Sequence, residues 1–373
     1  SAGELLEGID ALVISPGIPV NAPFVKAAQE KGIYVTGELE LAAQLSRSNL
    51  ISVTGTNGKT TTVSLLGEIF CNAGKVTHVV GNIGYPFSLA AMVSKKEDVI
   101  VCEVSSFQME TADTFHPHVA VLTNITEDHL NRHGTMEVYT AMKMRTFRRQ
   151  GPEDYAIFNA DDPALKNLPK QVKSQVLMFS RQKEVERGAF VRDQMIMINI
   201  NGEEKSICRT DEVFIPGPHN LENALAAVCA ASAMEIPVPV IRHSLKTFRG
   251  VEHRIEPVRV LDGVEYFNDS KGTNVDSTIK AVQTMTKPTA IILGGYDKHC
   301  SFDPLSVEMV RSEYIRHAVL IGATADQIEA SLLKYGFTEF ERADSMEDAI
   351  YACRKTAKEG WNVLLSPACA RFD

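Results

Sequence analysis

Residues 50–61 read Leu-Ile-Ser-Val-Thr-Gly-Thr-Asn-Gly-Lys-Thr-Thr, an apolar run that leads into a glycine-bearing loop. A strand, such a loop and the start of a helix together favour phosphate binding, because backbone N–H groups point at the anion. Lys59 would reach the β- and γ-phosphates of a nucleotide, and the hydroxyl of Thr60 would hold Mg²⁺. The stretch has Val53 where the usual phosphate-loop pattern has glycine. It predicts a nucleotide site in a strand–loop–helix unit, against the plainer alternative of a chance Gly-Lys-Thr.

The rest of the chain continues this alternation of short apolar strands and longer helical patterns. Strands are predicted at residues 11–14, 33–36, 50–54, 99–104, 119–124, 155–159, 264–267, 289–293, 318–321 and 362–365. Helices are predicted at residues 23–31, 61–73, 136–148, 221–233, 276–283 and 346–358. This order is typical of βαβ units with a parallel sheet, whose ligands bind beyond the carboxyl ends of the strands. Residues 182–209 are irregular, and their Asn201-Gly202 turn predicts a hairpin insertion.

The composition excludes several classes of protein. The 373 residues favour two to three domains, and 44% apolar with 23% charged residues is ordinary globular usage. The net charge of −9 argues against a nucleic-acid partner, and no apolar run is long enough to insert into a membrane. The 7 cysteines form no C-x-x-C pair, which argues against a disulfide framework or a thiolate zinc site and favours the cytoplasm. Both ends of the sequence look cut, so we expect a fragment of a longer protein.

Two polar side chains stand where predicted strands end. Glu103 closes the apolar run at residues 99–104, and a carboxylate inside a buried strand is costly unless it meets a cation. Mg²⁺ bridging two phosphates would supply that cation, whereas the alternative is an edge-strand glutamate that faces water. His129 follows the strand at residues 119–124. It could be a metal ligand, an acid–base group or a solvated loop residue, and the sequence leaves all three open.

Further candidates are ambiguous from the residues alone. Asn82 lies in a glycine-bounded turn, and Lys143 reads as an exposed helix lysine. Asn220 and Asn223, at the start of an alanine-rich helix, are either capping residues or readers of a base edge. Polar strand ends suggest two further anion sites, at residues 268–274 and at Lys298.

The order of these motifs resembles the Mur ligase family of ATP-dependent amide ligases. The matching segments, in the order of the family, are residues 54–60, 103–108, 123–129, 217–220 with Asn223, and 253–254. The short phosphate loop of that family accounts for Val53. Residues 15–19 and 268–274 resemble the branch that adds D-glutamate, and the Asp-Asn-Pro-Arg segment of the branches that add diaminopimelate or lysine is absent from the sequence.

The resemblance implies an α/β fold in three domains. Residues 1–48 would be the end of a Rossmann-like domain that binds a UDP substrate and is only partly present. Residues 49–249 would form the central P-loop ATPase domain around a parallel sheet. Residues 250–373 would form most of a Rossmann-like C-terminal domain. In such an arrangement, the active site is completed by domain closure.

The resemblance also implies the reaction. ATP would phosphorylate the carboxylate of UDP-N-acetylmuramoyl-L-alanine, and the amine of D-glutamate would displace phosphate from the acyl phosphate, a step of peptidoglycan precursor synthesis. Two Mg²⁺ ions would neutralise the reacting anions. Their ligands would be Thr60, Glu103, His129 and a carbamylated Lys143. The implied catalytic residues are Lys59, Glu103, His129, Lys143 and Arg254.

The same resemblance assigns binding residues. The ATP site would comprise Gly55, Thr56, Asn57, Gly58, Lys59, Thr60, Thr61, Asn220, Asn223, Arg254 and Asp269. The nucleotide-sugar substrate would meet Ser15, Gly17, Asn82 and Gln108, and D-glutamate would meet Lys271, Thr273 and Lys298. The protein would be a cytoplasmic monomer.

Arg371 departs from the family pattern, which has serine after the segment Ala-Cys-Ala. An arginine there would pair with the side-chain carboxylate of D-glutamate or point outward. Three other functions stay open from the sequence: a folylpolyglutamate synthase-like ligase, a nucleotide-binding module without turnover, and a P-loop kinase. His129 and the second Rossmann-like block have no place in a kinase.

Overall fold

The computed structural model describes residues 6–296 and 300–369. The chain forms two compact units, of which the first joins the chain up to Ile215 with Asn220–Arg249. The second unit joins Pro216–His219 with the chain from Gly250 onward. Residues 6–48 group with the first unit. The status of residues 1–48 as the remnant of a separate domain therefore stays a prediction.

The first unit contains eleven strands among the described residues. They are β1 (Ala11–Ile14), β2 (Tyr34–Gly37), β3 (Asn49–Thr54), β4 (Thr77–Gly81), β5 (Val99–Glu103), β6 (Val119–Leu122), β7 (Tyr155–Asn159), β8 (Gln175–Ser180), β9 (Gly188–Arg192), β10 (Met195–Ile200) and β11 (Glu203–Arg209). The α-helices of this part of the chain are α1 (Pro23–Glu30), α2 (Glu38–Leu45), α3 (Lys59–Asn72), α4 (Phe87–Val93), α5 (Leu130–His133), α6 (Met136–Met144), α7 (Pro218–Ala233) and α8 (Val238–Thr247). Short 3₁₀ helices lie at Gln108–Glu110, Arg145–Phe147, Pro163–Leu165, Leu168–Gln171 and Thr210–Glu212.

The main sheet of this unit has the strand order β11-β10-β9-β8-β7-β6-β3-β5-β4, and β1 and β2 pair in a separate parallel sheet. Strand β3 is parallel to both neighbours, β5 and β6. Its residues from Leu50 to Thr54 are buried, as expected for a strand that is covered on both faces. The carboxyl ends of β5, β3 and β6 therefore lie side by side, which is where ligands bind in open parallel sheets.

Two local predictions need correction. The hairpin predicted at residues 182–209 exists as the antiparallel strands β9, β10 and β11, but it is not an insertion, since β9 pairs in parallel with β8 and the sheet continues through it. The helix predicted at residues 136–148 ends its α-helical part at Met144 and continues as a 3₁₀ turn. The buried residues Thr146 and Phe147 occupy that turn, which therefore packs against the core.

The second unit is a six-stranded sheet with helices. Its strands are β12 (Glu256–Leu261), β13 (Val264–Asn268), β14 (Thr289–Leu293), β15 (Ile315–Leu320), β16 (Phe340–Arg342) and β17 (Asn362–Leu365), and its helices after Gly250 are α9 (Val275–Thr284), α10 (Asp303–Arg311), α11 (Ala325–Tyr335) and α12 (Met346–Thr356). The order is β12-β13-β17-β14-β15-β16, with only the β12–β13 pair antiparallel. Two apolar clusters pack against the sheet of this unit. In neither unit do the described residues include a helix of the length and apolarity needed to cross a membrane.

Candidate active site

The loop between β3 and α3 has the backbone of a phosphate-binding loop. Gly55 has φ +142° and Gly58 has φ +83°, a region that side chains rarely adopt. A Cβ on Gly58 would also collide with the side chain of Asn223, so glycine is needed there for close approach as well. The helix α3 begins at Lys59, directly after this turn, and leaves its first N–H groups facing the loop.

The segment after β6 fixes the shape of the loop. The backbone N–H of Thr56 donates to the carbonyl of Asn124 at 2.9 Å, and the N–H of Asn57 donates to Asn124 Oδ1 at 2.9 Å. Thr123 Oγ1 donates to the carbonyl of Asn57 at 2.6 Å. These bonds tie the loop to the segment that follows β6.

Glu103 and Thr60 meet at the carboxyl end of the sheet. Thr60 Oγ1 donates to Glu103 Oε2 at 2.7 Å, and Asn82 Nδ2 donates to Glu103 Oε1 at 2.9 Å. Glu103 is buried, with 2% of its surface exposed, so the edge-strand alternative is wrong. Asn82 lies beside this carboxylate, and its predicted contact with the nucleotide-sugar stays a prediction.

Two lysine side chains lie against the same loop. Lys59 Nζ donates to the carbonyls of Gly55 at 2.9 Å and Thr56 at 2.7 Å. Lys143 Nζ donates to the carbonyl of Gly55 at 2.7 Å and lies 4.5 Å from the centre of the Tyr139 ring. The reading of Lys143 as an exposed lysine, made from the residues alone, is wrong, because only 2% of its surface is exposed. Burial, together with the charge of Lys59, lowers the pKa of the Lys143 ammonium well below its usual range.

His129 lies among aromatic rings. It precedes α5 with φ 54°, a left-handed conformation that is uncommon for residues other than glycine. Its ring lies 4.8 Å from the ring of Phe107 and 6.5 Å from that of Tyr139, and its Nε2 is 3.5 Å from Asp128 Oδ2. The Tyr139 ring thus neighbours both His129 and Lys143, the two ligands predicted for a second Mg²⁺.

The start of α7 lies beside the phosphate loop. Asn223 Nδ2 donates to Asn220 Oδ1 at 3.3 Å, and both side chains are buried. The side chain of Asn223 lies close to Gly58 and places this pair next to the loop, and its role in reading a base stays a prediction. A cap of α7 alone would not need buried amides packed against another element.

A small cavity in the first unit is lined by two of the predicted substrate residues, Ser15 and Gln108. Its wall also includes Ile18, Glu38, Phe107 and Glu110. Gln108 Oε1 accepts from the backbone N–H of Ser105 at 2.9 Å, which orients the amide.

The second unit holds the other predicted contacts. Asp269 is 1% exposed and accepts from Ser366 Oγ at 2.6 Å. Burial raises the pKa of Asp269 to about 6, although Ser366 and Arg254 oppose the shift. The backbone N–H of Lys271 donates to the carbonyl of His253 at 3.2 Å, and that of Thr273 donates to the carbonyl of Lys271 at 2.9 Å, so these residues lie in one tight turn. Lys298 and Arg371 lie outside the described residues.

Sequence reasoning missed Tyr139 and Arg132. Tyr139 OH lies 3.2 Å from Thr56 Oγ1, which ties α6 to the phosphate loop. The spacing of four residues between Tyr139 and Lys143 places both on one face of a helix, and that was the available signal. The sequence offers no such signal for Arg132, because its hydrogen-bonding partners come from distant parts of the chain.

Comparison with known proteins shows similarity over almost the whole sequence. A family model described as the Mur ligase middle domain matches residues 53–231, and one described as the Mur ligase glutamate ligase domain matches residues 253–369. The UDP-N-acetylmuramoylalanine--D-glutamate ligase of Thermoanaerobacter sp. (strain X514) is 46% identical over 99% of this chain and 82% of its own length. The protein of the same name from Clostridioides difficile (strain 630) is also 46% identical, over 99% and 82%.

Solved structures show the same fold at lower identity. MurC from Thermotoga maritima matches with a TM-score of 0.67 at 18% identity, over 97% of this chain and 82% of its own. MurF from the same organism, in complex with ADP, also has a TM-score of 0.67 at 18% identity, over 98% and 92%. The relatives near half identity, together with the two family models and the phosphate loop joined to Glu103, show that the chain belongs to the Mur ligase family.

Proposed function

We propose that this chain is an ATP-dependent ligase that joins D-glutamate to UDP-N-acetylmuramoyl-L-alanine, with ADP and phosphate as the other products. The observation that carries the proposal is the buried pair of Thr60 and Glu103, whose side-chain oxygens lie 2.7 Å apart beside the phosphate loop. Relatives that carry this ligase name over 99% of the chain support the choice of substrates. The reaction belongs to peptidoglycan precursor synthesis, and we expect a cytoplasmic monomer.

The residues at the carboxyl end of β5 fit a first Mg²⁺. The hydroxyl of Thr60 and the carboxylate of Glu103 are hard oxygen donors of the kind that Mg²⁺ prefers. Glu103 is a buried carboxylate, and a cation would repay the cost of burying it. Within residues 6–296 and 300–369, no group of three or more His, Cys, Asp or Glu side chains forms a metal site.

We assign a second Mg²⁺ to His129 and a carbamylated Lys143. A lysine ammonium cannot bind a metal, but burial lowers the pKa of Lys143 and so favours its neutral amine form. That amine can add to CO₂ with loss of a proton, which gives a carbamate with the oxygen donors of a carboxylate. The two ions, when bound, would supply charge neutralisation for the approach of two anions, a carboxylate and the γ-phosphate.

The side chains of this chain hold and orient the reactants. Lys59 is placed at the loop carbonyls, from which it can turn to the β- and γ-phosphates. We assign the adenine to Asn220 and Asn223, whose buried amides offer both donors and acceptors. Arg254 and Asp269 would contact the γ-phosphate and the ribose, an assignment that rests on the family resemblance.

The substrates are assigned by the same reasoning. The nucleotide-sugar would occupy the cavity between Ser15 and Gln108, with Gly17 and Asn82 as further contacts. The D-glutamate site would be formed by Lys271, Thr273, Lys298 and Arg371. The substrate carboxylate attacks the γ-phosphorus and ADP leaves; the D-glutamate amine then attacks the acyl carbon, phosphate leaves, and the amine loses a proton.

The test is ADP release by the full-length protein with Mg-ATP, UDP-N-acetylmuramoyl-L-alanine and a panel of amino acids. We expect release that requires D-glutamate and fails with L-glutamate, lysine and diaminopimelate. Release with another amino acid would overturn the choice of D-glutamate and make Arg371 the first residue to examine. ATP binding without release under any condition would reduce the function to a nucleotide-binding module.

A further inference from the structure

Arg132 links the wall of the substrate cavity to the segment that carries His129. It lies on α5, three residues after His129, and 16% of its side chain is exposed. Its Nε donates to Glu110 Oε1 at 3.0 Å and its Nη2 to Glu110 Oε2 at 2.8 Å, which is a two-pronged ion pair. Arginine in this geometry is both a charge and a rigid fork.

The same guanidinium also binds the segment at residues 15–18, part of which lines the cavity. Its Nη2 donates to the carbonyl of Ile18 at 3.1 Å, and its Nη1 donates more weakly to the carbonyl of Gly17 at 3.4 Å. These carbonyls belong to a turn in which the N–H of Ile18 donates to the carbonyl of Ser15 at 2.9 Å. Arg132 therefore sets the orientation of the turn that presents Ser15 to the cavity.

An aromatic contact extends this connection toward the phosphate loop. The guanidinium lies 5.1 Å from the centre of the Phe107 ring, whose other neighbour is the ring of His129 at 4.8 Å. The His129 ring faces Tyr139, and the hydroxyl of Tyr139 reaches Thr56. A continuous set of contacts thus runs from the Ser15 turn through Arg132 to the loop.

We propose that Arg132 is a positioning residue that holds the Ser15–Ile18 turn and Glu110 in place. The cavity can then bind the anionic nucleotide-sugar in the correct position relative to His129. The inference rests on the proposed function for the identity of that ligand. Arg132 does so in two ways: it fixes the turn through two carbonyls, and it neutralises a carboxylate in the wall of a site for a polyanion. Without Arg132, Glu110 would repel the substrate.

The test compares Arg132→Ala, Arg132→Lys and the double variant Arg132→Ala with Glu110→Gln. For Arg132→Ala we expect the KM for UDP-N-acetylmuramoyl-L-alanine to rise about tenfold or more, while the KM for ATP stays within about twofold. The KM of Arg132→Lys for this substrate should lie between those of the wild type and Arg132→Ala, because a lysine keeps the charge but cannot form the two-pronged ion pair. The double variant should regain at least part of the lost affinity, since it removes the repelling charge.

Arg148→Ala is the matched control, because Arg148 pairs with Asp113 on the exposed surface and should leave both KM values unchanged. Equal rises in both KM values for Arg132→Ala, a lowered Tm and no rescue by Glu110→Gln would overturn the proposal and leave Arg132 a merely structural residue. An unchanged KM would also overturn it.

A second measurement separates this proposal from the proposed function. Hydrogen exchange at Gly17, Ile18 and Val20 is recorded for the ligand-free protein, wild type and Arg132→Ala. Faster exchange in these residues alone, with the phosphate loop and the Arg148→Ala control unchanged, supports positioning even if the wild type does not turn over this substrate. Unchanged exchange in the turn would refute it whatever the substrate is.

Discussion

At the scale of a single residue, we expect Lys143 to be needed for activity but not for stability. Its pKa is lowered, so the unfolded chain binds more protons below the ordinary lysine pKa, and this residue makes stability rise with pH toward that value. A methionine fills a similar volume with no amine to bury. We therefore predict that Lys143→Met lowers turnover by about 100-fold or more yet does not lower the free energy of unfolding at pH 7.

The measurement is urea unfolding at pH 7 and pH 9 in CO₂-free buffer, beside a turnover assay. The variant should also lose part of the rise in stability between these pH values. Lys75→Met, at an exposed position, is the control and should change neither quantity. A Lys143→Met protein that keeps wild-type turnover would exclude Lys143 from the metal site.

Asp269 gives a second prediction at the residue scale. Its pKa is raised to about 6, so the native state holds a proton that the unfolded state has lost between about pH 4 and pH 6. Stability from this group consequently falls as the pH rises through that window, and the cost is fully present above about pH 6. Asp269→Asn removes the charge and keeps an acceptor for Ser366 Oγ. We predict that it raises the free energy of unfolding at pH 7.5 by about 1–3 kcal/mol.

Denaturant unfolding from pH 4 to pH 8 measures this effect. The difference in the free energy of unfolding between wild type and variant should change only between pH 4 and pH 6. Asp344→Asn, at an exposed position, is the control and should leave the free energy of unfolding unchanged over this range. Equal stability of wild type and Asp269→Asn at both ends of the range would contradict the prediction.

At the scale of elements, the side chain of Glu40 joins α2 to the segment before β6. Its buried carboxylate accepts from the backbone N–H groups of Asp113, Thr114 and Phe115, and from Gln44. Burial alone would raise its pKa, but the hydrogen bonds from Thr114 and Asp113 outweigh this and hold the pKa low. The stabilisation is therefore present above the ordinary glutamate pKa and is lost as the pH falls below it.

We predict that Glu40→Ala destabilises the protein by about 3 kcal/mol or more, since it leaves several buried N–H groups without an acceptor. Glu40→Gln should cost less, because one oxygen remains. Thermal and urea unfolding measure both, and Glu30→Ala on the exposed face of α1 serves as the control. Equal effects of Glu40→Ala and Glu30→Ala would show that the connection contributes nothing to stability.

The elements differ in how well the sequence predicts them. Strands β3, β5 and β6 are predicted because their buried runs are continuous and end in polar residues. The edge strand β4 is only half-buried and begins with the polar residues Thr77 and His78, so it lacks such a run. Strand β8 is too short an apolar run for periodicity to separate strand from helix.

The candidate site shows the same division. Thr60 and Glu103 are predictable because each follows from its own strand end, and parallel pairing of β3 and β5 then brings them together. The burial of Lys143 depends on packing of α6 against a loop 88 positions away in the chain, which no local pattern encodes. The role of carbamylation came only from the family resemblance.

At the scale of the whole molecule, the strand order places the site at the carboxyl ends of neighbouring interior strands. Because β5 and β6 flank β3, residues more than forty positions apart converge on one loop without any long-range pattern in the sequence. A ligand that binds there only in the native state stabilises the protein as a whole. Mg-ATP should therefore be visible in the Tm.

We predict that Mg-ATP at 100 times its Kd stabilises the native protein by about 2.7 kcal/mol, which corresponds to roughly 5–10 °C in Tm. EDTA should remove most of this shift, because in the proposed site the oxygens of Thr60 and Glu103 would bind the nucleotide through the metal. Thr60→Ala should abolish the dependence on Mg²⁺ while Thr338→Ala, at an exposed position, keeps it. A shift of the same size for ATP with EDTA and for Mg-ATP would mean that the nucleotide binds without the metal, and would remove the Thr60–Glu103 pair from the proposed mechanism.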